Sequence, residues 1–144
     1  MVDVHGLAES RLRSDGQRYT RNRRTVVEAL DQADGPLSLP QLLQRRRQLA
    51  QSSAYRNLAI LEAAGVVHRI VASDGFARFE LAQEVTEHHH HHRICSACGR
   101  VEDFTLPTAL EVSLERALRR VATKAEFRAL SHQLDLIGVC PACS

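Results

Sequence analysis

Between Thr20 and Ala64 apolar residues recur at helical spacing in three blocks, each bounded by capping or turn residues. The first is predicted to start near Thr20 or Asn22, and it puts Val26, Val27, Ala29 and Leu30 on one inward face before Asp34-Gly35-Pro36 stops it. In the second, Ser38 caps a helix with Pro40 in its first turn, and Leu42, Leu43 and Leu49 are its apolar residues. In the third, Ser52 or Ser53 caps a helix with a buried stripe of Tyr55, Leu58, Ile60, Leu61 and Ala64, and Gly65 ends it. The pattern then changes to β-rich runs, Val66–Val71 and Phe76–Leu81, around the hairpin signal Ala72-Ser-Asp-Gly. A three-residue loop there sets His68 opposite Glu80, whereas a two-residue loop sets it opposite Leu81. Residues 1–17 are polar and unpatterned and are expected to form a loose arm.

Beyond Ala82 the composition shifts. Residues 83–87 are expected to be a hinge, followed by short strands at Arg93–Cys95 and Arg100–Phe104. A helix from Pro107 to about Thr123 carries an apolar stripe of Leu110, Leu114, Ala117, Leu118 and Val121. The run Arg128–Val139 reads as a strand with Leu130, His132, Leu134 and Leu136 on one face. Three helices and a hairpin make the winged helix-turn-helix pattern. The expected class is therefore α+β: a winged-helix domain over 1–82, a hinge at 83–87, and a small α/β domain over 88–144. The latter is too small to bury its own apolar face, so a homodimer is expected.

Charge divides along the same line. Residues 11–56 hold ten arginines against four acids, while from residue 65 onward nine basic residues face ten acidic ones. The basic half suits a polyanion such as double-stranded DNA. Ser52, Ser53, Arg56 and Asn57 fall in the first turns of the third helix, where a recognition helix reads a major groove, and Arg18 and Arg24 belong to the basic stretch. The Arg45–Arg47 run reads more readily as a solvated helix face than as a backbone phosphate contact. No apolar run reaches the ~18–20 residues that span a bilayer, and no secretory signal pattern opens the chain, so a cytoplasmic protein without a membrane partner is expected.

The chemistry is concentrated in Glu87–Cys98, which holds five of the eight histidines and two of the four cysteines. Internal placement argues against a purification tag. Cys95, Cys98, Cys140 and Cys143 form two Cys-x-x-Cys turns, which in a reducing compartment predict one tetrahedral Zn²⁺ whose closed sulfur shell is structural. Along an extended His88–His92, His89 and His91 face one way and His90 and His92 the other, so the run can feed two sites. The remaining candidate ligands are His68, Glu80, Glu111 and His132. His132 reads equally as a hydrogen-bonded core residue, His68 as a wing surface residue, and the two glutamates as solvent-facing acids. A metal-dependent hydrolase lacks a motif such as His-Glu-x-x-His, and a metal store or chaperone leaves the basic half unexplained. The chain is not expected to be an enzyme.

The order Ser53-Ala-Tyr55-Arg56, Gly65-Val-Val, Phe79-Glu80-Leu, the histidine run, Cys95-x-x-Cys98-Gly and Ser131-His132 to Cys140-x-x-Cys143 resembles the ferric uptake regulator family of metal-sensing transcription regulators, its zinc-type members in particular. The resemblance spans about Arg18 to Cys143. It implies that Tyr55 and Arg56 contact promoter DNA. It also implies a hinge sensor site of Glu80, His90 and His92 with His68 as fourth ligand, and a second site of His89, His91, Glu111 and His132. The regulatory ion is then Zn²⁺ or Fe²⁺, with Mn²⁺ and Ni²⁺ also tolerated by nitrogen-rich ligands. The sequence departs from the family in four places, one being a segment between the second helix and the recognition helix that is about four residues shorter than usual. Pro36 stands where many members have a histidine, His91 where some have aspartate, and Glu111 aligns only with a one-residue insertion.

Overall fold

The computed structural model describes residues 2–144. The expected loose arm contains a helix, α1 (Val4–Ser14), capped by the Asp3 side chain, which accepts from the Gly6 backbone N–H at 2.9 Å. Ala8 and Leu12 are fully buried and Val4 and Leu7 pack beside them. The helical period was present but diluted by Glu9, Ser10, Arg11 and Arg13. The Arg11 guanidinium donates to the Gly65 carbonyl at 3.2 Å, and the His5 ring lies 2.6 Å from the Tyr19 hydroxyl, so both ends of α1 are tied down.

Helix α2 (Arg21–Gln32) starts behind the N-cap Thr20, and its buried residues are Val26, Val27, Ala29 and Leu30. A two-residue strand β1 (Leu37–Ser38) leads into α3 (Leu39–Arg45), where Ser38 and Gln41 form a reciprocal capping box. Helix α4 (Gln51–Ala63) begins earlier than expected. Its N-cap is Ala50, with no side-chain cap, and Ser52 and Ser53 lie inside its first turn. Gly65, at φ +76°, turns the chain out of α4 in the left-handed conformation that glycine adopts without strain. The wing follows as β2 (Val67–Val71) and β3 (Ala77–Leu81), with His68 opposite Glu80, the register of the three-residue loop. The sheet order is β1-β3-β2. Residues 83–87 hold one helical turn, α5 (Gln83–Thr86), whose Val85 is fully buried in the same core. The chain leaves that core at Glu87, at φ 59°.

The second sheet has the order β5-β4-β6. Strand β4 (His91–Cys95) runs antiparallel to β5 (Val101–Phe104) and parallel to β6 (Asp135–Gly138). The expected strand over 128–139 is thus confined to four residues, and 128–134 is an irregular return that brings His132 inward. Helix α6 (Thr108–Lys124) contributes no buried residue, and Val121, Phe127, Leu130, Leu136 and Ile137 are all exposed. Period two predicted a face for 130–136 that no layer of this chain covers. A small cluster of Ile70, Ala72, Ile94 and Val101 joins the wing to the second sheet. There Ser73 Oγ donates to the Cys95 carbonyl at 3.0 Å.

Candidate metal centre and nucleic-acid interface

The strand β4 and the residues just before it carry the alternating histidines, and two elements bring carboxylates to them. Glu80, from the wing strand β3, places one oxygen 2.6 Å from His92 Nε2 and the other 2.9 Å from His90 Nε2. Asp103, paired with His92 across β4 and β5, lies 3.6 Å from His92 Nε2 and 3.7 Å from His90 Nε2. The ligand atoms of Glu80, His90, His92 and Asp103 all fall within 4.8 Å of one another. His68 is not among them: despite the favourable register, its ring turns aside and sits 3.1 Å from the Gln133 amide. Asp103 takes the fourth place, and no residue near Pro36 joins the group. The sequence pattern could not single out Asp103, because an acid in a short strand looks solvent-facing until the register puts it opposite His92.

The electrostatics of this group are those of carboxylates confined with imidazoles. Burial pushes the Glu80 carboxyl up, but hydrogen bonds from His90 and His92 outweigh it and bring it down to about 2. Burial, followed by the Glu80 charge, pushes Asp103 up to about 6. The hydrogen bond to Glu80 raises His90 against the opposing effect of burial. Burial lowers His92, and its contacts with Glu80 and Asp103 more than reverse that. Two anions close together with imidazole nitrogens facing them form a donor set suited to a divalent cation, which would relieve the Glu80–Asp103 repulsion. Asp103 Oδ1 and His92 Nδ1 are buried and have no hydrogen-bond partner.

The other face of the run builds a second group. His89, His91, Glu111 and His132 also place ligand atoms within 4.8 Å of one another. His91, 1% exposed, hydrogen-bonds Glu111 through Nε2, and His89 Nε2 lies 3.3 Å from the other Glu111 oxygen. Burial lowers His89, partly offset by Glu111. The Nε2 atoms of His89 and His132 are buried without hydrogen-bond partners, both within this group. His88 is exposed and belongs to neither group.

Cys95, Cys98, Cys140 and Cys143 converge at the far end of β4. The backbone N–H of Cys140 donates to Cys95 Sγ at 3.3 Å, and Cys98 Sγ lies 3.9 Å from Cys140 Sγ. Donation from the Cys140 and Cys98 N–H groups lowers the Cys95 thiol to about 6, and contact with the Cys140 and Cys98 sulfurs pushes Cys143 up to about 12. Four sulfurs around one point suit Zn²⁺.

In the winged helix, α4 presents Ser52, Tyr55 and Arg56 to solvent, with Tyr55 66% exposed and Ser53 half-buried. Asn57, expected beside them, is instead buried. It accepts from Arg23 Nε at 3.0 Å and donates to Ser53 Oγ at 3.4 Å, so it joins α2 to α4. Arg18 is exposed, and Arg24 lies over the Tyr19 ring, 5.9 Å from its centroid.

Residues 14–137 match the sequence profile of the ferric uptake regulator family. The chain belongs to that family. Its members are metal-responsive transcription regulators, not enzymes. The ferric uptake regulation protein of Legionella pneumophila is 31% identical over 137 residues, covering 92% of this chain and 95% of its own. The peroxide-responsive repressor of Staphylococcus epidermidis is 28% identical over 96% of this chain and 91% of its own. Among solved structures, the ferric uptake regulator of Pseudomonas aeruginosa with manganese superposes with a TM-score of 0.73 at 26% identity, over 92% of this chain and 96% of that one. The α+β architecture with a winged helix is thus that of ferric uptake regulators. Among the described residues no helix is long and apolar enough to cross a membrane.

Proposed function

We propose that this ferric uptake regulator homologue is a cytoplasmic, homodimeric repressor that binds double-stranded promoter DNA when a divalent metal occupies the hinge group. The observation that carries the reading is the reach of Glu80: a wing residue shares its carboxylate between His90 and His92, which lie beyond Glu87 in the second half of the chain. A cation held by Glu80, His90, His92 and Asp103 ties the winged helix to the second sheet, and hence to the dimer. The dimer would form across the exposed apolar residues of α6 and β6, buried against a second copy. Two heads fixed at one spacing can then enter successive major grooves through Ser52, Ser53, Tyr55 and Arg56, with Arg18 and Arg24 on phosphates. The four cysteines hold Zn²⁺ as a structural ion, and His89, His91, Glu111 and His132 form a second regulatory site.

The mixed nitrogen and oxygen ligands accept Zn²⁺ or Fe²⁺, and Mn²⁺ or Ni²⁺ as well. For the ion to act as a switch it must bind the DNA-competent arrangement more tightly, with a coupling of ~1–3 kcal/mol. Operator binding with and without a chelator that spares the four-cysteine zinc tests the reading. Chelation is expected to weaken binding by about 5- to 150-fold; unchanged affinity rules out the switch.

A further inference from the structure

We propose that Asp135 is the positioning residue for His92: its carboxylate accepts the Nδ1–H of that ring and so presents Nε2 to the hinge ion. The inference rests on the metal reading above. The two nitrogens of His92 face opposite ways. Nε2 meets Glu80 and Asp103, the other members of the hinge group. Nδ1 is buried, and within the chain it lacks a hydrogen-bond partner. The carboxylate on that side is Asp135, whose Oδ1 lies 3.5 Å from His92 Nδ1.

The backbone explains the placement. The parallel register of β4 and β6 pairs His92 with Asp135, and the His92 N–H donates to the Leu134 carbonyl at 3.3 Å. The start of β6 therefore holds both the backbone and the ring of His92. Its next residues, Leu136 and Ile137, are 60% and 67% exposed, whereas the Asp135 side chain is 31% exposed.

A histidine that gives Nε2 to an ion keeps its remaining proton on Nδ1, and an acceptor there fixes the tautomer and ring orientation and raises the basicity of the ligand. The small movement from 3.5 Å to hydrogen-bonding distance is a side-chain adjustment. The second group already shows the same device: His89 Nδ1 lies 2.7 Å from Gln83 Oε1, and its Nε2 is left free for the other ligands. Asp135 opens the strand whose exposed residues are proposed to meet the second copy, so it links the hinge ligand set to the dimer.

The test compares wild type with Asp135→Ala, Asp135→Asn and Asp135→Glu in the full chain with its cysteine zinc retained. Long-range ¹H–¹⁵N NMR on protein loaded with Zn²⁺ reads the His92 Nδ1–H, and Co²⁺ titration reads affinity. The expected result is a slowly exchanging Nδ1–H in wild type that is lost in Asp135→Ala, with a 10- to 100-fold weaker hinge step. Asp135→Glu restores both. Asp135→Asn keeps the Nδ1–H because its amide oxygen still accepts, and falls between in affinity. Uptake by the second group and the cysteine zinc content stay unchanged, which separates positioning from misfolding. If Asp135→Ala keeps both the Nδ1–H and the wild-type affinity, the inference is wrong while the site stands. If wild type takes up no ion at Glu80, His90 and His92, both fall together.

Discussion

Asp74, at the tip of the wing, lies directly on Gly99, the residue after the first cysteine turn: a Cβ at position 99 would come within 2.3 Å of the Asp74 carboxyl carbon. Arg78 holds that carboxylate at 2.8 Å and, chiefly through this hydrogen bond, keeps it down at about 2. Beside it Ser73 donates to the Cys95 carbonyl. The wing is therefore packed on the cysteine turn as well as linked to His90 and His92 through Glu80.

Gly99→Ala is expected to destabilise the chain through two separable effects. Position 99 has φ +77°, which costs an alanine about 1 kcal/mol, and its methyl group would also displace the wing tip. Adding Asp74→Gly removes the second effect, since the Asp74 atoms closest to that methyl group are its Cβ, Cγ and Oδ2, and it carries its own separate cost in lost hydrogen bonds from Arg78. A double-mutant cycle by chemical denaturation should show a favourable coupling of ~0.5–3 kcal/mol. Strict additivity would mean that the wing tip does not rest on the cysteine turn.

How far the sequence carried can be judged at particular residues. The stripe of α2 and the alternation of His89 to His92 were legible because period alone fixes the face, whereas in α4 only Leu58 and Leu61 of the expected stripe are buried: Tyr55 points to solvent, and Ala54 and Asn57 fill the inner face. The cysteine turns were legible because their spacing fixes the chemistry. Asp103 and Asp135 were not, since each gains meaning only from pairing with β4 across β5 or β6. The register of His68 against Glu80 hung on a loop length that the sequence left open between two and three residues, and its ring direction is a rotamer choice that turns to Gln133. Ser53 looked like a cap, yet its hydroxyl meets Asn22 and Asn57 between helices.

Asn57 and Arg56 are neighbours in sequence with opposite environments, so their substitutions should separate. Asn57→Ala loses hydrogen bonds to Arg23 and Ser53 and should cost about 1–3 kcal/mol of stability. Arg56→Ala, at an exposed position, should change stability by less than about 0.5 kcal/mol yet weaken operator binding. Thermal unfolding and a DNA-binding isotherm on both variants check the pair. The account of the interface is wrong if Arg56→Ala binds operator normally.

Leu12→Ala tests whether α1 is integral to the first core. Leu12 is fully buried, and its truncation should cost about 2–5 kcal/mol, measured by urea unfolding. A residue on a loose arm would cost under about 0.5 kcal/mol.

The pH response of the hinge group follows from the signs of its shifts. His90, His92 and Asp103 are raised in the folded chain, so above their ordinary values the fold retains protons that the unfolded chain has released. For the histidines that stabilisation is full below 6.5 and is lost as pH rises through the folded values. Asp103, raised to about 6, adds a loss in the same direction that begins at lower pH. Glu80 acts oppositely, with its contribution lost only as pH falls below 4.5 toward about 2. Protein carrying only the cysteine zinc should therefore lose stability through Asp103 as pH rises from 3.8 to about 6, and through His90 and His92 as pH rises above 6.5. Uptake of the hinge ion should strengthen over the latter range, since the ion competes with protons for the histidines. Denaturation and metal titration at pH 6, 7 and 8 read the two trends.

In the proposed switch, one ion bridges Glu80 of the wing to His90, His92 and Asp103 and so sets the DNA-binding geometry. The most direct measurement is operator affinity across free metal concentration for wild type and Glu80→Ala, with the cysteine zinc intact in both. Wild type should tighten about 5- to 150-fold on metal addition, and Glu80→Ala should stay at the metal-free affinity. An equal metal response in the two proteins would contradict the account.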